Sequence, residues 1–375
     1  MKVCITSDVF LPEVGGIQVF TYELAKHFSL LDFVEVSVIT FWDGKTVYEK
    51  INEKFSVVRL PKHDFVRRGI YLLRRLLEKR NYDVFHSTTL GFSSFVTAYF
   101  SKLYRKKSFV TIYGLDALQG YKIAKSRFLI KRTFNNVHHI ISFSESTKLK
   151  VKDTYKLSDR KLTTIYPGVS VPEISQNLIE DLRQKLNLSK EDFVVLFVGR
   201  LIKRKGADDL IRAISMIQDN SVKLVVVGDG PEKESLIGLT SNLKIKDRVI
   251  FVGKVSYWDV FKFYKLADIF CMPSKYLKDE GDIEGLGIVF LEAQMYGVPV
   301  IGTNSGGIPE AIDNGKSGFI VPENDPKSIA DKIMMLKDDT ELRERMSKQA
   351  IRFVKKKFSW KNCVSKHLQL YEGIK

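Results

Sequence analysis

Short apolar runs alternate with longer amphipathic segments along the chain. In the first half, residues 3–7, 34–40, 56–60, 84–86, 109–113 and 139–142 have the apolar, β-branched character of strands, and 17–28 has helical periodicity. Strand and helix in alternation predict a parallel sheet covered on both faces, with ligands at the carboxyl ends of the strands. Residues 166–172 then break the pattern with Pro167, Gly168 and Pro172, which marks a linker. The alternation restarts at 193–198 and continues through 224–227, 249–253 and 299–301; residues 326–357 have helical character and mixed charge, and 358–371 form a closing helix. A chain of 375 residues is too long for one ordinary core. The expectation is an α/β protein of two doubly wound, Rossmann-like domains, 1–168 and 169–357.

Glycines and charges gather where those strands end. Residues 284–310 run EGLGIVFLEAQMYGVPVIGTNSGGIPE. Glu284 opens a turn with Gly285, Leu286, Gly287 and Ile288, and a helix follows carrying Glu292. Gly297 stops that helix, and Ser305-Gly306-Gly307 opens another. Helix starts offer unpaired N–H groups and partial positive charge, and glycine lets the backbone approach a ligand, so two such starts suit a sugar nucleotide. Glu292 lies eight residues beyond Glu284, roughly 80° further round an ideal helix, which can aim both carboxylates into one cleft. Upstream, Gly199-Arg200 and Lys205-Gly206 set cations between a strand end and a helix start, as a diphosphate requires. Lys203 and Arg204, between them, are expected to be exposed. Gly228 follows the 224–227 strand, but the third glycine of a dinucleotide fingerprint is missing.

Together EGLGIVFLEA, GVPVIGT and SGGIPE closely resemble the E-x7-E signature of family 4 of the retaining glycosyltransferases, which have the GT-B fold. Other matches support this: G-R-x4-K-G at 199–206, the P-x-x-G-G loop ending in Gly15-Gly16, and the crossover at 166–172. The resemblance implies two facing domains, with the acceptor on the first, the donor on the second, and a last helix 358–375 that packs back on the first. It implies that Arg200 and Lys205 neutralise the leaving diphosphate, that Glu284 meets the sugar, that Glu292 meets the ribose, and that Lys254-Val255 grip the base through the backbone. Residues 111–116, TIYGLD, match the T-x-H-G-x-D/E turn near the transferred sugar, so Asp116 carries over as a hydroxyl ligand. Tyr113 stands where the family has histidine and is a poor proton acceptor near neutral pH, so that residue's role does not carry over. His86, His138 and His139 are expected to be structural. The stretch KYLKDEGDIEG, which ends on Glu284-Gly285, adds a likeness to mannosyltransferases acting on phosphatidylinositol lipids. That favours mannose, with glucose and N-acetylglucosamine left open.

Composition narrows the partners. The net charge of +16 is concentrated: residues 1–168 hold 28 Lys and Arg against 15 Asp and Glu, the remainder 32 against 29. A negatively charged partner of the first domain follows. Two tracts carry most of the excess. On a helical wheel, Phe65, Ile70, Leu72, Leu73, Leu76 and Leu77 of residues 65–80 fall within roughly 160°, with Arg67, Arg68, Arg74 and Arg75 opposite, although Arg80 intrudes on the arc. Residues 121–132 are similarly basic and apolar. Such helices lie on anionic membrane surfaces, here on the cytoplasmic face, and some relatives act on lipid-linked acceptors. No run reaches the roughly 20 apolar residues of a membrane span, and the start, MKVCITSDVF, does not have the pattern of a signal peptide. Cys4, Cys271 and Cys363 lack metal-site spacing, suggesting reduced thiols in a cytosolic protein. No metal is expected at the acids of 278–282, and the nucleotide sugar is a substrate, not a cofactor. Two rival readings remain. One is an epimerase or phosphorylase on the same fold, although no pyridoxal lysine site is visible. The other is a nucleic-acid-binding protein, which lacks any reading motif.

Overall fold

A computed structural model describes residues 1–13, 15–62, 64–114, 116–118, 124–277 and 281–373. The chain divides into two compact units, Met1–Gly168 with Trp360–Lys375, and Val169–Ser359.

The first unit holds strands β1 (Lys2–Thr6), β2 (Glu35–Trp42), β3 (Val47–Lys50), β4 (Phe55–Pro61), β5 (Val84–Ser87), β6 (Lys107–Ile112), β7 (His139–Ser142) and β8 (Leu162–Thr164), in the order β3-β4-β2-β1-β5-β6-β7-β8. All neighbours are parallel except β3 and β4. Strands β1, β5 and β7 are almost wholly buried because helices cover both faces. β3 alternates between half-buried and exposed positions, as an antiparallel edge allows. The closing helix Trp360–Gly373 belongs to this unit. It buries Trp360, Cys363, Val364, His367 and Tyr371, and Tyr371 reaches β5 through a 2.6 Å bond to His86 Nδ1.

Helix Phe65–Glu78 divides its apolar arc between core and solvent. Asp64 caps it by accepting from the N–H groups of Val66 and Arg67, both at 3.1 Å. Leu72 and Leu76 are fully buried, but Val66, Ile70, Leu73 and Leu77 are 67%, 60%, 42% and 40% exposed. Arg68 folds over the Phe41 ring and pairs with Asp8; Arg75 lies over Tyr48 and pairs with Glu78. Two of the four arginines placed opposite the apolar arc therefore pack against the protein, and part of that arc faces out. Packing chose the narrower stripe that fits β2, β4 and helix Phe92–Leu103.

The second unit is a six-stranded parallel sheet in the order β11-β10-β9-β12-β13-β14. Its strands are β9 (Phe193–Val198), β10 (Val222–Val227), β11 (Val249–Gly253), β12 (Ile269–Met272), β13 (Val300–Thr303) and β14 (Gly318–Val321). From β9 the chain adds β10 and β11 on one side, then returns to add β12, β13 and β14 on the other. The strand order therefore reverses between β9 and β12, where doubly wound sheets open a crevice for ligands. All three cysteines are buried and unbridged.

Candidate active site

The loops leaving β9 and β12 meet at that reversal. Gly206 has φ +69°, and a Cβ there would lie 2.0 Å from the Pro273 carbonyl oxygen. Lys275 N–H donates to Arg204 O at 2.8 Å. Gly228, at φ +142°, sits so close to Gly199 that a Cβ would come within 1.9 Å of its carbonyl oxygen. Only glycine tolerates either position. Gly228 N–H in turn donates to Gly253 O, at 2.9 Å, tying in the end of β11 just before Lys254 and Val255. Lys254 is exposed and Val255 half-buried.

Charge is concentrated in the same place. Lys205 Nζ lies 2.7 Å from Glu284 Oε2, and Arg204 Nη1 bonds that same oxygen. Arg204 Nε is 2.7 Å from Asp282 Oδ1. The side chains of Arg204, Lys205 and Glu284 are only 7%, 13% and 11% exposed. Burial alone would raise Glu284, but Lys205 and Arg204 together hold it down at about 2. Burial pushes the Lys205 ammonium down despite Glu284. Arg204 is thus buried, against the sequence expectation. The sequence did carry a signal for this: adjacent cations at 204–205 complement carboxylates at 282 and 284, all leaving neighbouring strands. Lys203 is exposed, as is Arg200, whose guanidinium has no hydrogen-bond or ion-pair partner among the described residues.

Glu284 begins the turn Gly285, Leu286, Gly287 and Ile288, with Leu286 buried and Gly287 at φ +78° capping helix Ile288–Met295. The second glycine turn serves differently from expectation. Gly307 N–H donates to Glu284 O at 3.0 Å, and helix Ile308–Ala311 has only four residues. Cβ atoms on Gly306 and Gly307 would each come within 2.0 Å of the Glu284 and Gly285 carbonyls. That turn buttresses the Glu284 loop. Glu292 is not gathered into the Arg204–Lys205 cluster. Its buried carboxylate accepts from Tyr264 Oη at 2.9 Å and Tyr257 Oη at 3.2 Å, and burial, opposed by those hydroxyls, raises it. Both tyrosines went unread in the sequence, since nothing local marks them as partners of a residue 28 and 35 positions away.

A cavity of about 510 Å³ opens beside these loops, lined in part by Lys203, Asp208, Arg212, Glu232 and Lys275. None of Arg200, Lys205, Glu284 or Glu292 lines it. Asp282 faces Arg204, while acids 279 and 280 lie outside the described residues. Among the described residues no group of three or more His, Cys, Asp or Glu is placed to hold a metal.

In the first unit, Gly15 caps helix Gly16–Ser29, and the space beside the Gly16 Cα is open. Asp116 Oδ1 accepts from the N–H groups of Tyr113, Gly114 and Ala117 at 3.1, 2.9 and 3.0 Å. Its buried Oδ2 has no hydrogen-bond partner among the described residues. Burial, against those three donors, pushes Asp116 up to about 6. Tyr113 donates to Thr88 O at 2.8 Å and packs edge-on to Phe143. His86 is fully buried with both nitrogens engaged, by Tyr371 and Thr111; His138 bonds Ser108 and His139 bonds Thr163.

Comparison with known proteins bears on the family and the fold. A family model described as glycosyl transferases group 1 matches residues 179–353, and one described as glycosyltransferase family 4 matches 14–172. The chain is 26% identical to N-acetyl-alpha-D-glucosaminyl L-malate synthase of Bacillus anthracis, over 97% of this chain and 95% of that protein. It is 35% identical to a GDP-mannose-dependent alpha-(1-6)-phosphatidylinositol monomannoside mannosyltransferase of Mycobacterium tuberculosis, over 52% of this chain and 50% of that one. Among solved structures it resembles Anabaena Alr3699/HepE in complex with UDP, with a TM-score of 0.81, 20% identity and full coverage of both chains.

Proposed function

Since the chain belongs to the family 4 glycosyltransferases of GT-B fold, we propose that it moves a hexose, mannose in the favoured reading, from a nucleotide-diphosphate sugar to a glycan or lipid-linked acceptor, with retention at the anomeric carbon. One observation carries this: Lys205, Glu284 and the unpartnered Arg200 stand on two loops that meet at the strand-order reversal of the second unit. Arg200 and Lys205 hold the diphosphate and offset the charge that grows on it as the sugar C1–O bond breaks. Glu284 receives the sugar hydroxyls, Glu292 and its tyrosines line the nucleoside side, and Lys254-Val255 meet the base through their backbone. The acceptor oxygen bonds C1 on the face the diphosphate leaves, and its proton passes to that diphosphate. The charges on Arg200 and Lys205 make a metal unnecessary in this reading. The mannose preference is supported by the phosphatidylinositol-directed relative, although Alr3699/HepE has also been solved with UDP-glucose.

The first unit takes the acceptor, with Asp116 Oδ2 as a hydroxyl ligand and Gly15-Gly16 beside the transferred group. It meets an anionic membrane through helix Phe65–Glu78, whose outward stripe of Val66, Ile70, Leu73 and Leu77 is flanked by Arg67 and Arg74. The second tract adds Phe128, 55% exposed beneath Arg132; residues 121–123 lie outside the described residues. Among the described residues no helix is long and apolar enough to cross a membrane. A thermal-shift panel of GDP-, UDP- and ADP-sugars tests the donor assignment: one class should raise the melting temperature. A flat response across the panel would refute it.

A further inference from the structure

Glu284 Oε2 serves two cations at once. Lys205 Nζ is 2.7 Å away, and Arg204 Nη1 bonds the same oxygen while its Nε lies 2.7 Å from Asp282. The four groups balance in charge and are nearly closed to solvent. That creates a difficulty for the donor reading. An ammonium held by an unshared buried carboxylate keeps free N–H donors but little net charge to offer a diphosphate, and pulling it away would leave the carboxylate stranded in a poorly solvated place. The second cation on that oxygen resolves it. Nothing at the family positions marks Arg204, which lies between the two residues of the G-R-x4-K-G pattern.

We propose that Arg204 is a positioning residue that frees Lys205 for the donor: it holds Glu284 in place and neutralised while the lysine turns to the diphosphate. Its guanidinium suits this because the fork engages Asp282 and Glu284 together, so it stays fixed when the flexible lysine stem swings. Asp282 supplies an ion pair at Nε on the far side of the guanidinium. This inference rests on the donor reading of Lys205.

The test uses the full chain, with GDP and UDP as probes, since a nucleoside diphosphate lacks the sugar that Glu284 would otherwise contact. Titration calorimetry on Arg204→Met should show binding weakened about tenfold, because Lys205 then has Glu284 as a competing, unshared counter-ion. Adding Glu284→Gln to Arg204→Met should restore affinity to within about threefold of wild type, since the competitor is gone. Arg204→Lys keeps the charge without the fork and should lose less affinity than Arg204→Met. For a merely structural arginine, affinity would instead follow melting temperature across the variants. Wild-type affinity in Arg204→Met, or a folded double variant as weak as the single, overturns the proposal. If the wild-type chain binds neither GDP nor UDP, the donor reading fails first and takes this one with it; melting curves on each variant separate misfolding from lost binding.

Discussion

At the scale of single residues, the site depends on how differently three charged groups are held. Arg200 is exposed, and its guanidinium has no partner among the described residues, so its replacement should leave the fold alone; surface changes of this kind shift stability by about 0.5 kcal/mol or less. If it stabilises the leaving diphosphate, Arg200→Ala should lower kcat by about 10²- to 10³-fold, with the melting temperature unmoved. Initial-rate kinetics on donor and acceptor, or donor hydrolysis if no acceptor is found, provide the measurement; a near-wild-type rate counts against the role. Glu284 behaves differently. Its folded pKa of about 2 lies below the ordinary 4.5, so its contribution to stability is fully present above about 4.5 and disappears as pH falls through 2. Glu292, raised by burial, works in the opposite direction on the same acid limb, so the informative quantity is a difference. Urea unfolding of wild type and Glu284→Gln should show a gap on the order of 3 kcal/mol near neutrality, closing towards pH 2. A gap that stays constant from pH 6 to pH 2 would mean Glu284 is not held by Arg204 and Lys205.

At the scale of elements, helix Phe65–Glu78 makes two separable predictions from one wheel. Leu72 and Leu76 are buried among Ile39, Leu60 and Phe85, so Leu72→Ala should cost about 2–5 kcal/mol in denaturant unfolding. Ile70 and Leu73 face out, so Ile70→Glu with Leu73→Glu should leave stability nearly unchanged. Sedimentation with anionic vesicles should fall at least tenfold, given about 1.5–3 kcal/mol for each buried aliphatic side chain. Equal sedimentation would remove the membrane from the account. The same helix shows what the sequence could and could not yield. Its existence and apolar arc were legible because periodicity is a local property. Which stripe faced the core was not, because that depends on β2, β4 and a helix distant in sequence, and arginine stems can lie on aromatic rings as Arg68 does on Phe41. Most buried parallel strands were equally legible from their continuous apolar runs. β3, β8 and β14 were not, since an edge strand pairing on one side needs little apolar sequence; nor was β12, whose four buried residues follow a helix too closely to stand out. Glu284 and Lys205 were singled out through motif spacing; Arg204, Tyr257 and Tyr264 were not, since their contacts with Glu284 and Glu292 exist only once β9, β12 and a neighbouring helix are side by side.

At the scale of the whole molecule, the chain leaves the first unit after Gly168 and returns at Trp360. These crossings adjoin: a Cβ on Gly168 would lie 2.3 Å from the Trp360 ring, and in the second unit Val169 N–H donates to Phe358 O at 2.9 Å. The returning helix then completes the first core. Trp360 stacks on His27 and packs against Phe20, while Tyr371 packs on Phe28 and Phe109 and bonds His86. Residues from the far end of the chain thus close a core begun by β1, and stability need not be shared evenly between the units. Tyr371→Phe removes one hydroxyl and leaves His86 Nδ1 buried without its partner, at a cost of about 1–3 kcal/mol. That loss should appear in the first unit alone: hydrogen exchange should quicken in β1, β5 and β6, while β9, β10 and β12 keep their protection. Unfolding followed at probes in the two units should also cease to coincide, as expected when two cores are not one cooperative block. Uniform quickening across both sheets would show instead that the two units unfold as one, and that the helix Trp360–Gly373 stabilises the whole chain rather than the core it enters.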